Sequence, residues 1–185
     1  MVARTQADPA AQRLLGVAQR APTSTARVLW LQRASDAWAR PLQAVSACRQ
    51  GCSHCCHIPV ALTDVEARLI GERIGRTPAV PPHAPRGEAA LGQAQVPGAP
   101  ADDAGYTDPC PFLEQDVCSI YTHRPLACRV QLNMDADAAL CVLREDGVPV
   151  DVPYADATTL KAAYWLAQPA ARWADIRALF PSTKP

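Results

Sequence analysis

Residues 47–70 read ACRQGCSHCCHIPVALTDVEARLI, a stretch that places closely spaced cysteines directly before the start of a helix. Four of the eight cysteines of the chain lie here within nine residues. Cys52 and Cys55 have the CxxC separation that lets two sulfurs reach one ion of tetrahedral preference. The stretch therefore predicts a thiolate metal site next to a helix.

The helix that follows has clear signals at both ends. Thr63 and Glu66 have the spacing of a capping box, and apolar residues recur on one face after it. Gly75 is the expected end of the helix. We interpret the apolar face as core packing.

Three other stretches have helical spacing of apolar residues. Thr23–Ala47 is predicted to be helical, with Ser24 or Thr25 as the N-cap and Pro41 as a kink or break. Near the C-terminus, 155–167 and 170–180 are predicted helices divided at Pro169.

The remaining segments favour irregular structure. Residues 1–22 are rich in Ala, Gln and Arg and predict a loose helix or frayed terminus. Residues 76–109 contain seven prolines and four glycines and predict a loop or linker, in which His83 is expected to be solvated. Short extended pieces are expected around Cys110–Tyr121, with a turn at 114–116.

These elements predict an α-rich fold, with a small α+β fold as the variant. The expected organisation is a loose N-terminal segment, 1–22, and one cysteine-cluster metal-binding domain, 23–185. In that domain irregular cysteine loops would be braced by metal, and the Pro-rich loop would lie at about 76–109.

The charge balance excludes several classes of function. Lys and Arg number 18, as do Asp and Glu, so the formal net charge is zero. No broad basic field is present to hold a nucleic acid or an anionic membrane. The first 20 residues contain no unbroken apolar stretch, so we expect neither a secretory signal nor an anchor. The expected protein is soluble and cytoplasmic, with no nucleic-acid or membrane partner.

The cysteines are the chemical feature that stands out. In a reducing cytosol, metal ligation is favoured over disulfides. The two groups are Cys48, Cys52, Cys55 and Cys56, then Cys110, Cys118, Cys128 and Cys141. In an extended segment the adjacent Cys55 and Cys56 would point to opposite sides. Either one is a spare thiol, or the eight sulfurs serve two ions or one multinuclear cluster.

Cationic and imidazole side chains lie near these cysteines in sequence. Arg124 and Arg129 are candidates to balance thiolate charge, whereas Arg49 is interpreted as ordinary surface charge. His54 and His57 flank the Cys55–Cys56 pair and are expected to orient it or to replace a thiol occasionally.

Other polar groups give no catalytic pattern. Ser119, His123 and Asp116 are close in sequence, but no nucleophile elbow accompanies them. Asp135 and Asp137 could bind a hard cation, although two loop carboxylates more often face water.

Residues 47–70, followed by CPFLEQDVCSIYTHRPLACRV at 110–130, carry a family resemblance. Together they resemble the YkgJ-like cysteine-cluster family, bacterial CxxxCxxCC proteins described as zinc- or iron-chelating domains. The resemblance covers about residues 48–141. The ligands that it implies are Cys48, Cys52, Cys55, Cys56, Cys110, Cys118, Cys128 and Cys141. The motif residues without a known role are Tyr121, Arg124, Pro125 and Arg129.

The resemblance implies a metal-binding protein, with zinc, iron or an iron–sulfur cluster left open by the spacing. The family is also similar to flagellin lysine N-methylases, which implies an iron–sulfur-dependent protein-modifying enzyme as the alternative. Cys48, Cys52 and Cys55 have the spacing of radical S-adenosylmethionine enzymes. No glycine-rich strand-to-helix turn and no barrel pattern accompany that spacing, so it supports iron–sulfur ligation more than radical chemistry.

Overall fold

The computed structural model describes residues 8–80, 108–143 and 150–182, and these form an α-rich fold with a few short strands, as predicted. The helices in these ranges are α1 (Pro9–Arg20), α2 (Ser24–Gln43), α3 (Asp64–Ile74), α4 (Leu126–Arg129), α5 (Thr158–Leu166) and α6 (Ile176–Leu179). The strands are β1 (Ala61–Thr63), β2 (Leu113–Glu114), β3 (Val117–Cys118) and β4 (Trp173–Asp175). None of these helices is both long and apolar enough to cross a membrane.

The first helix is better anchored than the sequence suggested. Asp8 caps it by accepting a hydrogen bond from the backbone N–H of Ala10 at 2.7 Å. The helix packs against α2, and Ala18 is buried in the main core. Where a loose helix or frayed terminus was expected, Pro9–Arg20 is therefore a capped and packed helix.

Helix α2 begins after Thr23, whose hydroxyl accepts from the N–H of Ala26 at 3.1 Å. The cap is one residue earlier than the expected Ser24 or Thr25. Pro41 does not divide the helix, because it lies in the last turn before Gln43. Val28, Leu31 and Ala34 of its buried face enter the main core.

Helix α3 has the predicted ends but only half of the capping box. The Thr63 hydroxyl accepts from the N–H of Glu66 at 3.2 Å, and Gly75 closes the helix with φ of 69°. The Glu66 carboxylate does not return to the N–H of Thr63, which donates instead to the Tyr164 hydroxyl at 2.9 Å. Glu66 is 1% exposed, so its side chain points into the core.

The C-terminal region corrects one prediction. The segment 155–167 contains α5, as expected, but 170–180 is not one helix. Trp173–Asp175 forms β4, which pairs antiparallel with β1, and only the single turn α6 follows. Asp175 ends the strand and caps α6 by accepting from the N–H of Arg177 at 2.8 Å. Pairing with a distant strand outweighs local helical spacing here.

The extended pieces after Cys110 form the predicted hairpin. Leu113 pairs with Cys118 and Glu114 with Val117 in an antiparallel register. Gln115 and Asp116 form the turn with φ of 49° and 61°, the left-handed conformation that two-residue hairpin loops require. The hairpin holds Cys110 and Cys118 close together in the fold.

The Pro-rich prediction falls largely outside the described residues. Residues 81–107, including His83, are not described. Before that gap the chain turns back over α3, where the N–H of Ala79 donates to the carbonyl of Leu179 at 2.7 Å.

Gly71 is required by this close return of the chain. A Cβ on Gly71 would overlap the carbonyl oxygen of Arg76 and meet Cδ of Pro78 at 2.9 Å. We expect Gly71→Ala to lower the free energy of unfolding by about 1–3 kcal/mol, because backbone must move. Gly16→Ala is the control, since its Cβ would meet only the Arg20 guanidinium at 3.5 Å. Urea denaturation of both variants tests this, and equal stabilities would contradict it.

Candidate metal centre

One cavity of about 600 Å³ collects most of the cysteines. It lies between the loop after α2, the β2–β3 hairpin and α4, and Val60 and Ile176 supply apolar wall. All eight cysteines are free thiols and all are half-buried. The seven on the cavity wall are Cys48, Cys52, Cys55, Cys56, Cys110, Cys118 and Cys128. Folding therefore brings the two sequence groups together.

Cys141 reaches the same neighbourhood from the side, through Asn133. The Asn133 backbone N–H donates to Sγ of Cys48 at 3.3 Å, and its side-chain amide donates to Sγ of Cys141 at 3.3 Å. The Cys141 thiol also shares a hydrogen bond with Cys52. Two cysteines far apart in sequence are thus held by one buried asparagine.

The second group is fixed by backbone contacts. The N–H of Cys110 donates to the carbonyl of Cys56 at 2.8 Å, which ties the hairpin to the first cysteine loop. Cys128 lies on α4, and the first N–H of that helix, from Leu126, donates to the Glu66 carboxylate at 2.8 Å. Buried Glu66 therefore fixes the segment that carries Cys128.

Cys55 and Cys56 are not on opposite sides of an extended strand. Residues His54–His57 form a 3₁₀ turn, in which consecutive side chains do not alternate. The two thiols share a hydrogen bond with each other, and both face the cavity. The geometric argument against their acting together was wrong, because it assumed an extended backbone.

The thiols are held in their protonated form in the absence of a bound cation. The hydrogen bond with Cys56, then burial, raises the pKa of Cys55 well above its ordinary value. Burial is the main cause for Cys128, whose pKa is raised further by Cys55 and Cys110. For Cys141, burial raises the pKa to about 11. A bound cation would reverse this preference by stabilising the thiolates.

Arg124 is the motif arginine that acts on the cavity. Its guanidinium lies over the Tyr121 ring, 4.0 Å from the ring centre, and both residues line the wall. Its charge lowers the pKa values of Cys55, Cys118 and Cys128, against the larger effect of burial. This arginine therefore has the charge-balancing position that the sequence suggested.

Arg129 has a different position from the one expected. Its guanidinium donates to both carboxylate oxygens of Asp36, at 2.7 and 2.8 Å. It also donates to the carbonyls of Arg124 and Thr122, each at 2.9 Å. These bonds use its donors away from the thiols, so Arg129 braces the loop before α4. The expectation that it balances thiolate charge was wrong.

Two further arginines approach the cysteines. Arg49 lines the cavity but donates to the carbonyls of Ser46 and Cys48 of its own loop, at 2.6 and 2.8 Å. Arg177 donates to the carbonyl of Cys56 at 2.7 Å, and its charge lowers the pKa of Cys110 against the larger effect of burial. Sequence reasoning missed Arg177, because it lies far from every cysteine along the chain.

The imidazole groups lie outside the cavity wall. His54 is 4% exposed, and burial lowers its pKa; its ring also bonds to the backbone of Val142. That contact joins the first cysteine loop to the segment after Cys141. His57 likewise does not line the cavity.

The other candidate polar groups have local roles. The Asp135 and Asp137 carboxylates accept from the N–H groups of Ala136 and Ala139, at 2.8 and 2.7 Å. The Ser119 hydroxyl donates to a backbone carbonyl rather than to a base.

The chemistry of the donor set suits a soft metal. Thiolates favour zinc and iron–sulfur clusters, and the site supplies N–H donors and two cations to balance their charge. Across residues 8–80, 108–143 and 150–182, no three His, Cys, Asp or Glu side chains are already placed to hold one ion. Metal binding therefore requires the thiols to turn toward a common point.

Comparison with known families adds to this geometry. A family model, CxxCxxCC, described as a "putative zinc- or iron-chelating domain", matches residues 47–147, more than half of the chain. The chain belongs to this family. Its description assigns metal chelation, by zinc or iron, to the domain. No curated protein and no solved structure matches the chain.

Proposed function

We propose that the chain binds zinc or iron through the thiolates of its eight cysteines, within the family's metal-chelating domain. The observation that carries this proposal is the common cavity, which collects seven thiols from three separate parts of the chain. Such a convergence of half-buried thiols has no purpose in core packing, where a few scattered cysteines suffice. Zinc held by four thiolates would be a closed site, whereas an iron–sulfur cluster could carry electrons.

The residues around the thiols would prepare them for the metal. Arg124 and Arg177 place positive charge beside the cysteines, and Asn133 directs two N–H groups at sulfur. Donors of this kind stabilise thiolates and tune a bound metal or cluster.

The first experiment is metal analysis of protein purified without oxygen and without added metal, combined with its visible spectrum. Iron with sulfide and a broad charge-transfer band supports a cluster. A colourless protein that contains zinc supports closed thiolate sites. A protein with neither metal, in which every thiol reacts freely, would contradict the proposal.

Cys52→Ser tests the ligand set, because Cys52 is one half of the CxxC pair. We expect it to lose bound metal and to lower the melting temperature of the loaded protein, since ligation contributes to folding. Elemental analysis and thermal unfolding measure both effects. Full metal content together with the wild-type melting temperature would exclude Cys52 as a ligand.

The size of the cavity favours a second candidate function. At about 600 Å³ it lies in the range of small-molecule pockets and exceeds the needs of one ion. An iron–sulfur-dependent protein-modifying enzyme, such as a protein lysine N-methylase-like component, would use this space for a substrate or S-adenosylmethionine. Calorimetric titration of the iron-loaded protein with S-adenosylmethionine tests this function, and the absence of binding would reject it.

A further inference from the structure

Resting on the proposed function, we infer that the eight thiols form two metal subsites that meet at Cys55, with Asn133 as the positioning residue of the outer one. The inner subsite comprises Cys56, Cys110, Cys118 and Cys128. The outer subsite comprises Cys48, Cys52 and Cys141. The ligand of each subsite is a thiophilic cation of the zinc or iron class.

The outer subsite is defined by hydrogen bonds to sulfur. Asn133 is 1% exposed and donates to Cys48 through its backbone and to Cys141 through its amide, both at 3.3 Å. The orientation of the amide is fixed, because its oxygen accepts from the N–H of Asp135 at 2.8 Å and its nitrogen also donates to the carbonyl of Asp137 at 3.2 Å. Asn133 can therefore present N–H, and not oxygen, to the sulfurs.

The inner subsite is built from the hairpin and α4. Cys110 is joined to the backbone of Cys56 at 2.8 Å. Cys118 ends β3, and Cys128 is close enough to feel the charges of both Cys110 and Cys118. With Arg124 and Arg177 beside it, this subsite has enough thiols to close a tetrahedral site.

The electrostatic contacts between thiols divide into the same two sets. Cys141 is influenced by Cys48 and Cys52 but by no inner thiol, whereas Cys128 is influenced by Cys55 and inner thiols only. Cys55 alone acts on both sets, through Cys48 and Cys128. The division therefore follows from the positions of the sulfurs, with one shared member.

Tyr154 lies where the two sets meet. Cys55, Cys48 and Cys141 all influence its hydroxyl, which is buried. Although Gln131 approaches it, the hydroxyl makes no hydrogen bond of ordinary geometry to any described residue. A buried donor of this kind calls for an acceptor, and a neighbouring thiol would become one on losing its proton to a metal.

The two subsites are expected to hold metal with different strength. The inner one can complete four thiolate ligands, and such a site is closed. The outer one has three thiols of its own, which leaves a position for water, Cys55 or an incoming ligand. The outer metal should therefore be the one that exchanges.

Alkylation of the wild-type protein during metal loading tests the division without any mutation. Zn²⁺ alone, and in parallel Fe²⁺ with sulfide, is added anaerobically in steps, and the modified cysteines are mapped by mass spectrometry. We expect the inner thiols to become at least about tenfold less reactive at one equivalent, and the outer thiols only at the second. Protection of all eight thiols in parallel would overturn the division but leave the proposed function intact. Failure of both metals to protect any thiol would reject the proposed function itself.

Asn133→Asp tests the positioning role, because aspartate keeps the oxygen that contacts Asp135 but replaces the amide donor by a second oxygen. We expect the outer thiols to lose protection at two equivalents, while the inner thiols keep theirs. Circular dichroism of the metal-free variant confirms that it folds. Equal loss of protection in both sets, or no loss in either, would contradict the role of Asn133.

Discussion

Glu66→Ala is expected to cost about 3–5 kcal/mol of unfolding free energy, one of the two largest effects in this protein. The Glu66 carboxylate accepts three hydrogen bonds, from the Gln32 amide, the Leu126 backbone and the Tyr164 hydroxyl, each at 2.8 Å. Alanine leaves these donors buried without an acceptor, at about 1–3 kcal/mol for each group that finds no other partner.

The same substitution should reach the metal centre. Glu66 holds the first N–H of α4, and α4 carries Cys128. Without this anchor Cys128 is no longer fixed relative to the hairpin, so metal content should fall as well. Urea denaturation of the metal-free protein and elemental analysis of the loaded protein measure the two effects separately.

Glu66→Gln is the matched control. Its carbonyl oxygen can accept from Leu126 and Gln32, and its amide can donate to the Tyr164 oxygen, so we expect a cost below about 1 kcal/mol. Equal destabilisation by alanine and glutamine would mean that charge, rather than hydrogen bonding, is what Glu66 contributes.

The comparison of wild type with Glu66→Gln also has a predicted pH dependence. Burial raises the pKa of Glu66 above its ordinary value of 4.5, despite the hydrogen bonds that oppose the shift. The folded state therefore favours the protonated form, and the stability from this preference is complete below pH 4.5. It is lost as pH rises through the folded-state pKa. The wild type should thus lose stability relative to Glu66→Gln as pH increases, and the opposite slope would contradict the assignment.

Cys128→Ser is expected to have the largest effect on metal binding. In the wild type, loading should raise the unfolding free energy by about 4 kcal/mol when free metal exceeds Kd a thousandfold. The serine variant should lose most of this gain, because a hydroxyl replaces a thiolate at the meeting point of Cys110 and Cys118. Denaturation of loaded and metal-free protein gives the gain directly.

Two comparisons make the Cys128 result specific. Metal-free Cys128→Ser should lose only about 1–3 kcal/mol, the cost of burying a hydroxyl without a partner. Cys56→Ser should keep more metal than Cys128→Ser, since Cys55 lies next to it in the 3₁₀ turn and can replace it. If Cys128→Ser gains as much from metal as the wild type, Cys128 is not a ligand.

The metal centre shows which site residues local sequence could reveal. Cysteine spacing picked out all the thiols of the cavity, because their chemistry and number are unusual in any chain. Asn133 and Arg177 carry no such signal. Asn133 stands between Leu132 and Met134 in a segment without a motif, and Arg177 occupies one turn of helix near the C-terminus. Their roles arise from contacts across 85 and 121 residues of chain.

Local signals predicted the helices well where caps were present. Thr63 and Gly75 bounded α3 because their hydrogen bonds and backbone angles are set within a few residues. The same reasoning failed at Trp173–Asp175, where pairing with Ala61–Thr63 produced a strand. It also failed for Cys55 and Cys56, because a 3₁₀ turn has no strong signature in four residues.

The sequence by itself determined the α-rich fold class, the family and the thiol chemistry, because composition, helix caps and cysteine spacing act over short distances along the chain. Only the tertiary structure decided which thiols lie together, that Arg124 faces them while Arg129 turns to Asp36, and that Glu66 anchors α4. Those outcomes depend on packing between segments far apart in sequence. Burial and hydrogen-bond satisfaction, which select among side-chain positions, exist only once the whole core has formed.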